Sequence, residues 1–146
     1  MSMACASITI DRPIDEVFAV ISDVENDPKY SSQVVEAQRT TPGPIAVGSR
    51  GQIVTKVMGR RVASTGEVTE FEPYRRYGWR LTSGPVPLSG SITFSIGDCG
   101  TQVDATIEAT PRGLLRIAGP LFAAIAGRQL WRDLTTCKKL MEAGRL

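Results

Sequence analysis

The last third of the sequence, Gly113 to Leu146, constrains the fold most, because it is a long helical stretch arriving after an unbroken succession of strand-like segments. A helix in that position must lie on the sheet those strands form. Its front, Leu114 to Ala126, is apolar nearly all round apart from Arg116, Gly119 and Pro120, and from Gly127 to Ala143 the helix becomes polar-faced. A surface helix needs only one apolar stripe. Either the front is buried on every side, or it borders a space meant for an apolar guest.

Upstream of that helix the pattern has period two. Val34 to Thr41, Ser49 to Met58, Arg61 to Phe71, Tyr77 to Ser83, Leu88 to Ile96 and Thr101 to Ala109 read as strands. They are punctuated by Pro42-Gly43-Pro44, Gly59-Arg60, Glu72-Pro73, Ser83-Gly84-Pro85 and Gly97-Asp98-Cys99-Gly100. Connections this short make neighbouring strands antiparallel. Ala4 to Ile10 supplies a further strand, ended by Asp11-Arg12-Pro13. Pro13, followed by Asp15-Glu16, opens a helix that carries Ile14, Val17, Phe18 and Ile21 at helical spacing and runs to about Ser22. Asp23 to Tyr30 breaks it, with room for a short second helix around Pro28.

Alternation assigns the faces. Val62, Ser64, Gly66 and Val68 share one side of their strand, and Tyr77, Trp79 and Leu81 share one side of theirs. Ile92, Phe94 and Ile96, then Val103, Ala105 and Ile107, alternate with polar residues. A sheet dry on one face and wet on the other takes one covering layer, and the C-terminal helix is the element long enough to supply it. The fold class is α+β.

At 146 residues with a net charge of +2, the chain is expected to form one domain over 1–146. The longest apolar run, Leu114 to Ala126, falls well short of the roughly 20 residues a bilayer crossing takes. Met1 to Ser7 lacks the basic and apolar regions of a secretory signal, so a cytoplasmic protein with no membrane span is expected. Cys5, Cys99 and Cys137 are odd in number and far apart, which argues against a disulfide framework or a thiolate cluster. The thirteen arginines are scattered, without the aromatic-interleaved basic stripe of a nucleic-acid binder, so no nucleic-acid partner is expected. Histidine is absent, which removes Ser-His-Asp and Cys-His nucleophiles and imidazole metal sites. Neither a metal nor a cofactor is expected, and any catalysis falls to carboxylate, Tyr, Lys, Arg or water.

Several segments in this order resemble the START-like or SRPBCC superfamily, and within it the polyketide cyclase/dehydrase and lipid-transport group. The carriers are Ile10-Asp11-Arg12-Pro13-Ile14-Asp15-Glu16-Val17-Phe18, then the acidic turn, Pro and aromatic residue of Asp23 to Tyr30, then Val47-Gly48-Ser49-Arg50. Glu67 to Pro73, Gly100-Thr101 and the helix ending Leu134 to Leu140 complete the match, which covers essentially the whole chain. The resemblance implies a helix-grip fold: a curved antiparallel sheet of about seven strands wrapped around the long C-terminal helix, with two short helices after the first strand and a hydrophobic cavity between sheet and helix. It implies no single activity, since such a fold hosts carriers, receptors, cyclases and regulatory subunits.

Tyr30, Trp79, Phe94, Phe122, Ile125 and Trp131 are the candidate lining of that cavity. Each can equally serve as core, although buried Tyr and Trp need partners for their polar atoms. Ser64 and Gly66 are small at mid-strand, which either leaves volume under the helix or marks a bulge. Arg80 and Glu67 fall on the wet face, and Glu70 and Glu72 at a strand end face solvent. Aromatase/cyclase members place an Arg and a Tyr in the cavity, whereas the matching strand here offers Ser64, Thr65 and Gly66. Asp133, one turn from Gln129, reads as an exposed partner for Arg132 or a lysine.

Three functions fit. The first is a binding protein for a hydrophobic small molecule (lipid, polyketide or isoprenoid-like). The second is a cyclase/dehydrase-type enzyme using a cavity Tyr or water, and the third is a protein-interaction module docking through the apolar helix front. Pro120 ends the backbone bonding of Leu114 to Ala118, so the front turn reads as a separate piece that gates the cavity. Ligand identity and oligomeric state are left open.

Overall fold

The computed structural model of the chain describes residues 2–84, 87–109 and 119–146. In chain order the elements are β1 (Ser2–Ile10), α1 (Ile14–Ile21), a 3-10 turn (Val24–Asn26), α2 (Asp27–Tyr30), β2 (Val34–Arg39), β3 (Arg50–Val57), β4 (Arg60–Glu72), β5 (Arg76–Leu81), β6 (Leu88–Gly97), β7 (Gly100–Ala109) and α3 (Gly119–Glu142). The strands form one sheet in the order β1-β7-β6-β5-β4-β3-β2, antiparallel throughout. Every neighbour but one is also a neighbour in sequence. The exception is β1, which returns to β7 in register from Ser2 opposite Ala109 to Ile10 opposite Thr101.

Turn chemistry fixes the hairpins. Met58 and Gly59 both take positive φ, 51° and 80°, the two-residue geometry whose twist matches the strands it joins. At the β6–β7 turn Gly100 has φ 126° and passes so near the end of β1 that a Cβ would stand 2.2 Å from the Ile10 carbonyl oxygen. Only glycine fits there. The short second helix expected around Pro28 is α2, and Pro28 sits in its first turn, where its missing N–H costs nothing.

α1 buries Val17, Phe18 and Ile21. The Phe18 ring meets Phe94 edge-on at a centroid distance of 5.1 Å and Phe71 at 5.4 Å. Leu134, Cys137 and Met141 of α3 join Val68, Tyr77, Phe94, Val103 and Ala105 in the same core, so the sheet curls round the helix in a helix grip. The cover is shared more widely than α3 alone. α3 runs chiefly along β1, while α1 packs on β6 and β7.

The far end of α3 is tied to the corner after β1. Arg12 Nη2 donates to the Glu142 carbonyl at 2.8 Å, the Asp11 N–H donates to Glu142 Oε2 at 2.8 Å, and Lys138 Nζ donates to the Thr9 carbonyl at 2.7 Å. Thr101 Oγ1 in turn holds the Arg12 carbonyl at 2.8 Å. These bonds hold a helix C-terminus whose last carbonyls have no partner within the helix.

At the other end, the described part of α3 begins at Gly119. The expected helix front Leu114 to Ala118, and the gate assigned to it, lie outside the described residues. Among those described, no helix is long and apolar enough to cross a membrane.

Candidate functional site

The site grows from α2. Asp27 opens this one-turn helix and Tyr30 closes it, a spacing that stacks them on one face. The Tyr30 hydroxyl donates to Asp27 Oδ1 at 3.0 Å. Asp27 as a residue is only partly buried, yet its carboxyl has lost much of its hydration. That desolvation, opposed by the Tyr30 hydrogen bond and helped by the charges of Asp23 and Asp133, pushes its pKa up to about 7.

The same carboxylate is felt on two other elements. Burial raises the Tyr77 phenol on β5 well above its ordinary value, and the charges of Asp27 and then Asp23 add to this. Burial also pushes the Cys137 thiol on α3 up to about 12, again with a contribution from Asp27. Tyr30 is raised by burial first and by Asp27 second. Tyr77 of β5 and Cys137 of α3 lie in one core cluster, against which Tyr30 of α2 packs, so the carboxyl of Asp27 stands at the edge of an apolar setting.

Asp133 braces this corner. Expected as a surface partner for Arg132, it is instead half-buried. Ser31 Oγ donates to its Oδ2 at 3.0 Å, while the Ser32 N–H and Gln129 Nε2 donate to its Oδ1 at 3.4 and 2.8 Å. Its pKa is raised by burial, against the pull of those hydrogen bonds. The α3 stripe that reaches the core turns Asp133 toward the loop after α2, a direction sequence spacing alone does not reveal.

The sheet face that carries Tyr77 is apolar and in part uncovered. Two cross-strand rows define it, Val68–Trp79–Gly90–Ile107 and Phe71–Tyr77–Ile92–Ala105. Val68, Tyr77 and Ala105 are buried, whereas Trp79, Ile92 and Ile107 keep part of their surface exposed, as does Leu81. Trp79 leans over its partner Gly90, leaving no room there for a Cβ.

The remaining sequence candidates spread out. Phe94 is buried against Phe18, and Ser64 is buried beside Gly84. Gly66 keeps regular register opposite Leu81, and the one irregularity of the β4–β5 pair falls at Thr69. A Cβ on Gly66 would stand 3.6 Å from Leu81 Cδ2, so Leu81 fills part of the space left there. Ile125 and Trp131 are 58% and 52% exposed. At 3.6 residues per turn they fall off the stripe of Leu130, Leu134, Cys137 and Met141, and with Leu121 they share the solvent side of α3 with Arg128 and Arg132. The Phe122 side chain lies outside the described residues.

On the other face, Arg80 Nε donates to Glu67 at 2.9 Å and Arg76 Nη1 to Glu70 at 3.0 Å, exposed pairs worth little to stability. An open groove of about 510 Å³ lies where α1 starts, lined by Asp11 to Asp15, Ile96, Gly97, Gly100 and Thr101, none of which belongs to the Asp27 corner. Among the described residues no three His, Cys, Asp or Glu side chains are grouped to hold a metal.

Sequence spacing misses Asp27, Tyr77 and Gly90 as site residues. Asp27 is signalled only by its i, i+3 relation to Tyr30 across Pro28, and Gly90 only by a register that no local pattern states.

Comparisons with known proteins agree with this architecture. The family model described as polyketide cyclase / dehydrase and lipid transport matches residues 4–142. Protein TTHA0849 from Thermus thermophilus superposes with a TM-score of 0.82 at 18% identity, over 99% of each chain. A START superfamily protein from Mycobacterium smegmatis gives 0.82 at 12% identity, over 98% of this chain and 99% of that one. The Zhui aromatase/cyclase from Streptomyces sp. R1128 gives 0.80 at 18% identity, over 96% and 93%. No curated protein matches the sequence. At such identities the structures speak for the fold alone, but the family model spans nearly every residue, and the chain belongs to the polyketide cyclase/dehydrase and lipid-transport family.

Proposed function

We propose that the protein binds a hydrophobic small molecule, of lipid, polyketide or isoprenoid-like kind, between the sheet and α3, and does so in the cytoplasm as a single domain. One observation carries the reading: Trp79, Leu81, Ile92 and Ile107, on the face whose other members are core, keep apolar surface uncovered. A guest that removes several hundred Å² of such surface from water gains on the order of 5–10 kcal/mol before the costs of association. Native mass spectrometry of gently purified protein tests it. A lipid-sized adduct is expected, and stripped protein should take up the apolar dye 1-anilinonaphthalene-8-sulfonate. A bare chain that also ignores the dye rejects the reading.

The Asp27–Tyr30 hydrogen bond favours a second reading, a cyclase/dehydrase-type enzyme. A carboxyl titrating near neutrality is suited to moving a proton to or from a bound carbonyl compound, and Tyr30 is a donor beside it. Incubation with a linear β-polyketone should then give a dehydrated, cyclised product that Asp27→Asn fails to make. Unchanged starting material with the parent protein rejects this reading.

A further inference from the structure

The β3–β4 hairpin ends in a residue that both its turn and the solvent disfavour. Met58 is 98% exposed, more than any other large apolar side chain among the described residues, and Val57 beside it is 48% exposed. Met58 also holds a positive φ of 51°, followed by Gly59 at 80°. Asn-Gly or Asp-Gly makes such a turn best, and a side chain with no polar atom to bond the local backbone is strained there. Asn at position 58 removes the strain and the exposed apolar surface together. A residue that local rules disfavour twice marks a place where something besides folding sets the sequence.

The tip stands clear of the body. Among the described residues β5 pairs with β4 only from Gly66 onward, with the Thr82 N–H adding a bond to the Thr65 carbonyl. The strand from Gly66 back to Arg60 carries the turn roughly 20 Å past the end of that pairing. On the other side β2 reaches Thr55, and the Lys56 N–H donates to the Gln33 carbonyl at 2.8 Å. Val57 to Arg60 project beyond both neighbours.

Charge says what the tip meets. Every residue from Lys56 to Arg61 is exposed, and the two apolar side chains stand among the cations Lys56, Arg60 and Arg61. No acidic residue occurs from Arg50 to Gly66. Glu36 of β2 pairs with Arg61 at 2.6 Å, which leaves Lys56 and Arg60 without an ion pair to any described residue. An apolar point among cations matches a layer of anionic groups lying over hydrocarbon. A second copy does not match, because joining two tips brings their cations together. A protein partner is poorly matched too, since two side chains on a projecting turn offer far less than the roughly 800 Å² per partner that a stable interface takes. α3 adds to the same end of the molecule. Gly127 lies near Ala4 and Cys5, while Glu142 bonds Asp11 past the end of β1, so α3 sets out from the end of the sheet where β1 and β4 begin. Leu121 and Ile125, 64% and 58% exposed, precede Gly127 there, with Arg128 exposed beside them.

We propose that the β3–β4 tip docks the protein on an anionic lipid bilayer: Val57 and Met58 enter the boundary between headgroups and acyl chains, and Lys56 and Arg60 engage the lipid phosphates. The protein lies on the surface and does not span it. So small an apolar point, held by so few cations, makes the attachment weak and reversible. The inference stands apart from the small-molecule reading and does not depend on it.

Flotation of the full chain with vesicles tests it, one set of phosphatidylcholine alone and one with a third of the lipid replaced by phosphatidylglycerol. Binding is expected to the anionic set, and it should fall as salt is raised. Met58→Asn should weaken binding about tenfold, the effect of withholding one such side chain from an apolar phase. Its thermal midpoint should not fall, so lost binding is not lost fold. Met58→Leu should keep the binding, and Lys56→Gln and Arg60→Gln should each weaken it about fivefold. Ile96→Asn is the control, since it removes an 82% exposed apolar side chain at the opposite end of the sheet and should change nothing. Absence of binding to the anionic vesicles at low salt overturns the proposal, as does equal binding to phosphatidylcholine alone. Binding that Met58→Asn leaves intact, or that Ile96→Asn weakens as much, overturns it as well.

Discussion

The Trp79 indole occupies the space over Gly90, its directly paired residue on β6, so closely that a Cβ on Gly90 would stand 2.6 Å from ring carbon Cε2 and 2.8 Å from Nε1. An aromatic side chain covering a cross-strand glycine restores packing that the glycine gives up and fixes the ring's direction. Gly90→Ala must therefore push the half-buried indole outward, at a cost of about 1–3 kcal/mol. In a Trp131→Phe background, which leaves Trp79 as the only tryptophan, the emission of Trp79 should shift to the red along with the loss of stability. An unchanged spectrum and denaturation midpoint would show that the ring is not held by this contact.

Asp27 gives the protein an uncommon pH dependence. Its carboxyl titrates near 3.8 in the unfolded chain and at about 7 in the fold. Between those values the unfolded state has released a proton that the native state keeps, so stability declines as pH rises through that window and levels off above it. The whole decline is worth roughly 4 kcal/mol, at 1.4 kcal/mol per pKa unit. Asp133, raised in the same direction, adds to it, whereas Glu142, whose pKa is lowered, contributes stability that is lost only on acidification. Asp27→Asn keeps an oxygen for the Tyr30 hydroxyl and cannot ionise. Urea midpoints should coincide for the two proteins near pH 4 and favour the variant at pH 8. A variant less stable than its parent at pH 8 contradicts the account.

The three thiols should separate by environment. Cys5 and Cys99 are exposed, while Cys137 is buried with its pKa pushed up to about 12, so almost none of it is thiolate at neutral pH. Ellman's reagent at pH 8 should titrate two thiols per native chain within minutes and the third only after denaturation. Three fast thiols would mean that α3 leaves the core readily.

Strands and helices are legible in the sequence because their signals are local. Alternation ending at Gly or Pro places every strand to within about two residues, and Pro13 with Asp15-Glu16 marks the start of α1. Trp79 is legible as a residue of the apolar face for the same reason, through Tyr77 and Leu81 on its own strand. The Asp27 corner is not, since its character comes from α2 packing against a core that β5 and α3 build, and no spacing within the eight residues from Asp23 to Tyr30 records that packing. Ile125 and Trp131 show the converse limit. The apolar front of α3 has no clear stripe, so the side that faces inward is set by Leu134, Cys137 and Met141 a turn or more away.

Gly127 marks where α3 and β1 approach, and it separates close packing from close approach. A Cβ there would sit 3.9 Å from Ala4 Cβ and from the Cys5 carbonyl oxygen, ordinary contact with nothing to displace. In the interior of a 24-residue helix, glycine costs about 0.8–1 kcal/mol relative to alanine through backbone entropy. Gly127→Ala should therefore raise the thermal midpoint by a few degrees, the shift about 1 kcal/mol produces in a domain of this size. Gly127→Leu instead places a branched side chain between helix and strand, where the neighbour is backbone and cannot yield, and should lower stability by about 1–3 kcal/mol. The opposite signs are the decisive outcome. If both substitutions stabilise, α3 does not lie against β1 at this point, and the grip is held further along the helix, by Leu134, Cys137 and Met141 in the core and the Arg12, Lys138 and Glu142 bonds at its far end.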